Sequence, residues 1–332
     1  MGEYEKALET TKSYLANHPD VRGFHFKMAQ TYLFQGKYDK ALDKWNEILS
    51  LEPDFQLSYE IRKGDIYLLQ GDLVRAEEQY KKLPEGSQAS RRRLVSLYLH
   101  QGKFSEAKNQ LLIKPVQHEP LAYLYLRSGN HEEALKEFDV VLNDARKKES
   151  LSRQIITLSA KGAAYLQMKS IDKALKIADE TLELVQAGLK KKTIRYYHLL
   201  MGKIELEKNK SSRAIRSLTK AVDSLYAPEE NLPKVHAFFI STLAQAHFDA
   251  GNLNKAQENY ERIQSLALGR LDDGDLYAKS FYMLGKIYEQ RDRKEKAIEH
   301  YEKFLEFWKN ADPGIKEVED ARKSLAELQK SP

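Results

Sequence analysis

At 332 residues the chain exceeds the usual size of one globular core, so it is either two domains or a repeat array that grows along one axis. Hydrophobic residues at 42% and charged residues at 31%, with only 16 Gly and 9 Pro, describe a strongly helical chain and exclude a disordered or fibrous one. The lack of cysteine excludes disulfides, thiolate catalysis and cysteine-ligated metal, and a formal charge of +5 left from 54 basic and 49 acidic residues is too thinly spread to point to nucleic acid.

Residues 1–20 lack the apolar stretch of a signal peptide, and Lys6 stands where a myristoylation motif needs Ser or Thr. No apolar run approaches the roughly 20 residues of a membrane span. A cytoplasmic protein without a membrane partner is expected.

In chain order, the spacing predicts a first helix over 3–17, marked by Gly2, Tyr4, Ala7 and Pro19, that reads as the second half of a helical hairpin. A fuller unit follows with Ala29, Tyr32, Gly36, Tyr38, Ala41 and Trp45, ending at Pro53. The same order recurs in Gly64, Tyr67, Gly71, Leu73, Ala76 and Tyr80, then in Tyr98, Gly102, Phe104 and Ala107. Lys114-Pro115 and Glu119-Pro120 then interrupt the pattern, and residues 111–120 are expected to form a joint because proline removes helix donors. Beyond it the unit returns as Tyr125, Gly129, Ala134, Phe138; Gly162, Tyr165, Ala174; Gly202, Ala214; Ala244, Gly251, Ala256, Tyr260; and Gly285, Tyr288, Ala297, Tyr301. Measured between the alanines at 7, 41, 76, 107, 134, 174, 214, 256 and 297, the steps are 34, 35, 31, 27, 40, 40, 42 and 41 residues. A last helix follows, with Asp312-Pro313 as its expected cap and first turn and Ile315, Val318, Leu325 and Leu328 as its apolar stripe.

The physical reason for such a unit is two antiparallel helices that approach closely only where small residues sit at the crossing, with aromatics filling the flanks. Each hairpin leaves an apolar face that only the next hairpin covers. The exposed-looking face of the first helix, Tyr4, Ala7, Leu8, Thr11, Tyr14 and Leu15, therefore calls for a preceding segment or a second copy of the chain.

The recurring positions resemble the tetratricopeptide repeat family over nearly the whole chain. That resemblance implies an all-α fold, a right-handed superhelical solenoid of antiparallel helix pairs with a C-terminal capping helix. It implies segments 1–114 with near-standard repeats, 115–309 with one contracted and then longer units, and 310–332 as capping helix and tail. Residues 301–328 also resemble the C-terminal end of repeat tails on bacterial multidomain signalling proteins such as serine/threonine kinases. Family function lies in a concave groove lined by the first helix of each hairpin, so a non-catalytic scaffold or sensor that holds a protein or peptide is expected. The alternatives are a small-molecule-sensing regulatory domain of a larger bacterial signalling protein and an RNA-binding repeat protein.

Counting from the repeat, the groove is lined by Phe26, Gln30 and Leu33; Ile61, Asp65 and Leu68; Arg92, Ser96 and Leu99; Tyr123 and Leu126; Ser159, Ala163 and Leu166; Leu199, Lys203 and Leu206; Ser241, Gln245 and Phe248; and Tyr282, Lys286 and Glu289. In its first half Arg62, Arg92 and Arg93 suit an acidic segment, with Asp65 as the expected opposing charge, Gln30 and Ser96 as polar neighbours, and Phe26, Leu68 and Tyr123 as apolar contacts. Co-chaperone members of the family grip a peptide terminus with lysine, asparagine and arginine on three such helices; here Phe26, Gln30, Arg62, Ala89 and Arg93 stand at those places, and of these Arg93 fits. Tyr196, Leu199, Phe238 and Phe248 form a second, apolar candidate surface.

Nothing in the sequence points to a reaction, a cofactor or a metal. No glycine-rich loop lies between a strand and a helix, the nine histidines never fall at ligand spacing, and His25, His198, His236 and His247 read as ordinary helix residues. The carboxylate pairs Glu77-Glu78, Glu132-Glu133 and Glu229-Glu230 read as solvated faces or loops.

Overall fold

The alanines at 41, 76, 107, 134, 174, 214, 256 and 297 are all 0% exposed, each sealed at a helix crossing where a larger side chain would hold the two backbones apart. A computed structural model describes residues 2–188, 191–225 and 236–330. Among these residues the chain forms nineteen α-helices and no strand. Glu229, Glu230 and the side chain of Tyr4 lie outside what it describes.

The chain divides into two compact units between Leu97 and Tyr98, ahead of the joint expected at 111–120. The first holds α1 (Gly2–Asn17), α2 (Arg22–Phe34), α3 (Tyr38–Leu51), α4 (Gln56–Gln70), α5 (Leu73–Lys81) and most of α6 (Gln88–His100). Helices α2 and α3 form one hairpin and α4 and α5 the next, with α1 packed on α2 and α3 on α4. Helix α1 buries Leu8 and Thr11, and Tyr14 stacks on Phe24 at 4.0 Å, so α2 covers part of the face expected to be bare. Ala7 and Tyr14 remain exposed.

Two glycine roles are visible in the second hairpin. Gly71 ends α4 with φ of 84°, a left-handed conformation that costs an L side chain about 1 kcal/mol or more. Gly64 lies where a Cβ would stand 2.4 Å from the Tyr80 ring, so the hairpin closes only on a bare backbone. Three of the later turns reach the same left-handed conformation without glycine, at Lys169, Asn209 and Asp292.

The second unit holds α7 (Phe104–Leu112), α8 (His118–Arg127), α9 (His131–Lys147), α10 (Leu151–Gln167), α11 (Ile171–Ala187), α12 (Ile194–Glu207), α13 (Ser211–Asp223), α14 (His236–Asp249), α15 (Leu253–Ser265), α16 (Ala267–Asp272), α17 (Gly274–Glu289), α18 (Lys294–Phe307) and α19 (Lys316–Lys330). Hairpins α8/α9, α10/α11, α12/α13, α14/α15 and α17/α18 stack in order, and α10, α12, α14 and α17 also touch in succession. Two sources lengthen three of the four long steps, all but the one from Ala214 to Ala256. Helices α9, α10 and α11 run to 17 residues each, and α16 is inserted ahead of α17.

This unit returns to its own start. Gly102 packs beneath Trp308 and Ala311, and Trp308 is 0% exposed. The Asp312 carboxylate accepts hydrogen bonds from the Ser105 amide at 2.9 Å and the Ser105 hydroxyl at 3.0 Å, while the Asp312 amide donates to the Gly102 carbonyl at 3.1 Å. Asp312 therefore caps the first turn of α7, not its own helix, which begins later at Lys316. That corrects the expected Asp312-Pro313 start, and the reason is that the Ser105 amide is an orphan donor at a helix N-terminus within reach. The last helix still packs on α17 and α18, with Val318 and Ala321 buried and Leu325 and Leu328 half-buried.

Candidate functional site

In the first unit two of the candidate arginines, Arg62 and Arg93, converge on a buried carboxylate. Asp65 is 0% exposed; it accepts from the Tyr80 hydroxyl at 2.9 Å and pairs with Arg93 at 2.9 Å and Arg62 at 3.5 Å. Burial lowers the Arg62 pKa, and burial beside Asp65 raises that of Tyr80, so the cluster is a desolvated network with the charge of one carboxylate shared by two guanidinium groups. Arg62 lies over the Phe26 ring at 5.6 Å. Arg92 is exposed, Phe26 and Gln30 are half-buried, and Ser96 is buried. Leu68, expected to offer apolar contact, is 1% exposed and belongs to the core. Asp65 is thus a binding partner for the arginines inside the fold.

Tyr123 belongs to the second unit, and there it meets Tyr196, Leu199 and Phe238. A cavity of about 870 Å³ runs along α8, α10, α12, α14 and α17. Its walls carry many of the lining positions read from the repeat: Tyr123, Leu126, Ala163, Leu166, Lys203, Leu206, Ser241, Gln245 and Tyr282. A second cavity of about 310 Å³ shares Tyr123, Arg127, Ala163, Lys203 and Phe238 with the first and is floored by Ala160, Tyr196, Leu199 and Phe239. Tyr196 packs edge-on to Phe239 at 5.4 Å. Phe248 is half-buried and is not among the residues lining either cavity.

The charges of the walls are almost all paired within the fold. Arg127 binds Asp273 at 2.5 Å and Asp275 at 2.8 Å; Glu119 is held by Arg153 at 3.0 Å, Glu207 by Lys169 at 2.9 Å and Glu317 by Lys279 at 2.6 Å. Burial pushes the Asp273 carboxyl up to about 6 in spite of its guanidinium partner. Lys203 differs. Its ammonium stands 4.6 Å from the centre of the Phe238 ring, and among the described residues no ion pair or hydrogen bond engages it. Desolvation in the cavity wall pulls its pKa down to about 8.

The pattern reading placed Lys203 on the groove but could not show its isolation, which depends on every neighbouring carboxylate being taken elsewhere. It missed Arg127 altogether. The signal available was the acidic cluster Asp272, Asp273 and Asp275 around Gly274, which has no role in the repeat and needs a cation. Of the histidines, His25 is buried and bridges the Pro19 carbonyl at 2.6 Å and the Glu47 carboxylate at 2.9 Å. Among the described residues no cluster of three or more His, Cys, Asp or Glu is arranged to hold a metal ion, and no helix is long and apolar enough to cross a membrane.

Two family models described as tetratricopeptide repeat match the sequence, one over residues 23–55 and one over residues 238–310. Over 150 residues, 43% of this chain, the sequence is 29% identical to the BBSome complex member BBS4 of Bos taurus, and the match spans 28% of that protein's length. Among solved structures, a tetratricopeptide repeat protein from Parabacteroides merdae is similar with a TM-score of 0.44 at 16% identity, over 99% of this chain and 100% of that one. A signal transduction ATPase with numerous domains and a tetratricopeptide repeat sensor, from Pyrococcus horikoshii, is similar with a TM-score of 0.46 at 18% identity, over 88% of this chain and 44% of that one. The hairpins at residues 23–55 and 238–310 are recognised as tetratricopeptide repeats.

Proposed function

We propose that the second unit is a scaffold that holds a segment of a partner polypeptide in its larger cavity. Tetratricopeptide repeats in general mediate protein–protein interaction. The observation that carries the reading is the lining itself: Leu126, Ala163, Leu206, Ser241 and Tyr282 come from consecutive first helices and bound a space of about 870 Å³ that no described residue fills. A cavity of that size with a mixed apolar and polar wall suits the side chains and main-chain groups of an extended or helical segment. The wall carries Arg127, Lys169, Lys203 and Lys279 beside Glu207, Asp249 and Glu317, and all of these cations but Lys203 are already paired, which leaves little free positive charge for a polyanion such as RNA. The arginines of the first unit support a weaker acidic contact there, since Arg92 is exposed while Arg62 and Arg93 are already bound to Asp65. The likeness of residues 301–328 to repeat tails of bacterial signalling proteins supports placing this scaffold within a larger signalling protein.

The reading is tested by photo-cross-linking. A benzophenone amino acid in place of Leu206 or Ser241 is expected to capture a polypeptide, whereas the same group in place of Lys136, exposed on α9, is expected to capture none. Capture at Lys136 but at neither cavity position overturns it.

A further inference from the structure

The smaller cavity has a chemistry of its own. Its body is apolar, built by Ala160, Tyr196, Leu199, Phe238 and Phe239, and two cations stand in its wall, Arg127, which is held by Asp273 and Asp275, and Lys203, which is not paired. Taking an ammonium out of water without a counter-charge is unfavourable, and a methionine or leucine at 203 would pack the same stem with no such penalty. The acids in the same wall do not relieve it: Asp273 is committed to Arg127 and Glu119 to Arg153, and Asp272 makes no ion pair with Lys203. The Tyr123 hydroxyl lines the same space, and no described residue accepts a hydrogen bond from it. An ammonium and a phenol thus face a cavity that offers them no internal acceptor.

We propose that this pocket binds a small organic monocarboxylate with an aromatic or branched apolar body, its carboxylate on Lys203 and its body against Phe238 and Phe239. Three observations select that chemistry. One unpaired cation matches one negative charge, and a phosphate dianion would meet Asp273 and Glu119 without a second unpaired cation to balance it, since Arg127 is taken by Asp273 and Asp275. A volume of about 310 Å³ is roughly twice the cavity of 150 Å³ that accommodates benzene, which corresponds to ~12 heavy atoms. A peptide main chain would bring amides that need partners, whereas the Ser159 hydroxyl in the wall already donates to the Tyr196 carbonyl at 2.9 Å. The proposal does not depend on a polypeptide occupying the larger cavity.

The experiment is calorimetric titration of the full chain with 3-phenylpropionate and with its methyl ester. The acid is expected to bind at least roughly fivefold more tightly than the ester, the difference a charge-assisted hydrogen bond supplies. Lys203→Met is expected to abolish that preference while leaving ester binding in place. A preference below fivefold in the wild type overturns the proposal, as does an unchanged preference in Lys203→Met. So does displacement of the acid by a capped peptide with internal Glu-Phe that binds more tightly than the acid, because the pocket then belongs to a polypeptide. The comparison of acid with ester in the wild type needs no variant to fold.

Discussion

Arg127 at the end of α8 and Asp273 just before α17 are joined at 2.5 Å across 146 residues of sequence. With Asp275 at 2.8 Å on the other guanidinium nitrogen, the pair fastens the fourth repeat to the last one within the second unit. Arg127 is 20% exposed, Asp273 8% and Asp275 3%, so this is a bridge largely out of water. Removing one side leaves uncompensated buried charge, and Arg127→Met should destabilise the second unit by about 3–5 kcal/mol. Adding Asp273→Asn and Asp275→Asn should recover most of the loss. Urea unfolding of the three proteins checks both statements.

A pH dependence follows from His100. Its ring is fully buried against Gly274, donates to the Arg270 carbonyl and faces Asp275 and Tyr277; burial lowers its pKa to about 4. The unfolded chain takes up the proton near pH 6.5, while the folded chain does so only near 4, so the unfolded state holds more protons between these values. Stability is therefore present above pH 6.5 and is lost as the pH falls toward 4. The loss should reach about 3 kcal/mol. His100→Gln should remove this share of the slope, read as the change in urea midpoint between pH 7.5 and 4.5.

In the first unit, Asp65→Ala should cost about 3 kcal/mol, because Tyr80 loses its acceptor and two partly buried arginines lose their counter-charge. Arg92→Glu, at an exposed position, should change stability by less than about 1 kcal/mol. Hydrogen exchange in α4 and α5 reports the first, and thermal melting the second.

What the sequence made legible is what the hairpin itself demands. A crossing needs a small residue, so the alanines from 41 to 297 could be found by spacing, and the positions one turn away from them point inward. The same counting placed Ala163, Lys203 and Ser241 on the cavity wall. Pairing across the unit has no such rule. Arg127 with Asp273 and Asp312 with Ser105 are separated by 146 and 207 residues, and no local period announces them. For the arginines the sequence named Asp65 as the opposing charge, but a charge run does not show that this carboxylate is buried and held by Arg62 and Arg93 together.

Overpacking at one crossing tests the hairpin geometry directly. Ala256 on α15 is 0% exposed where α15 meets α14, and Ala256→Leu should destabilise by about 1–3 kcal/mol through displaced neighbours. Ala256→Gly, which removes volume, should cost about 1 kcal/mol from helix propensity. Circular dichroism melts of the two variants separate strain from propensity.

The trans cap provides the last test. Asp312 holds the Ser105 amide and hydroxyl in the first turn of α7, and a carboxylate there also meets the positive end of the helix dipole. Asp312→Ala should cost about 1 kcal/mol, the usual loss for an N-cap, and Asp312→Asn should cost less because the amide oxygen still accepts. Were Asp312 instead the cap of its own helix, protection would fall at Val318 and Ala321. With the geometry found, the amide of Ser105 and its neighbours in α7 should exchange faster while α19 is unchanged. Hydrogen exchange resolved to single residues distinguishes the two, and faster exchange confined to α19 would exclude the cap across the chain.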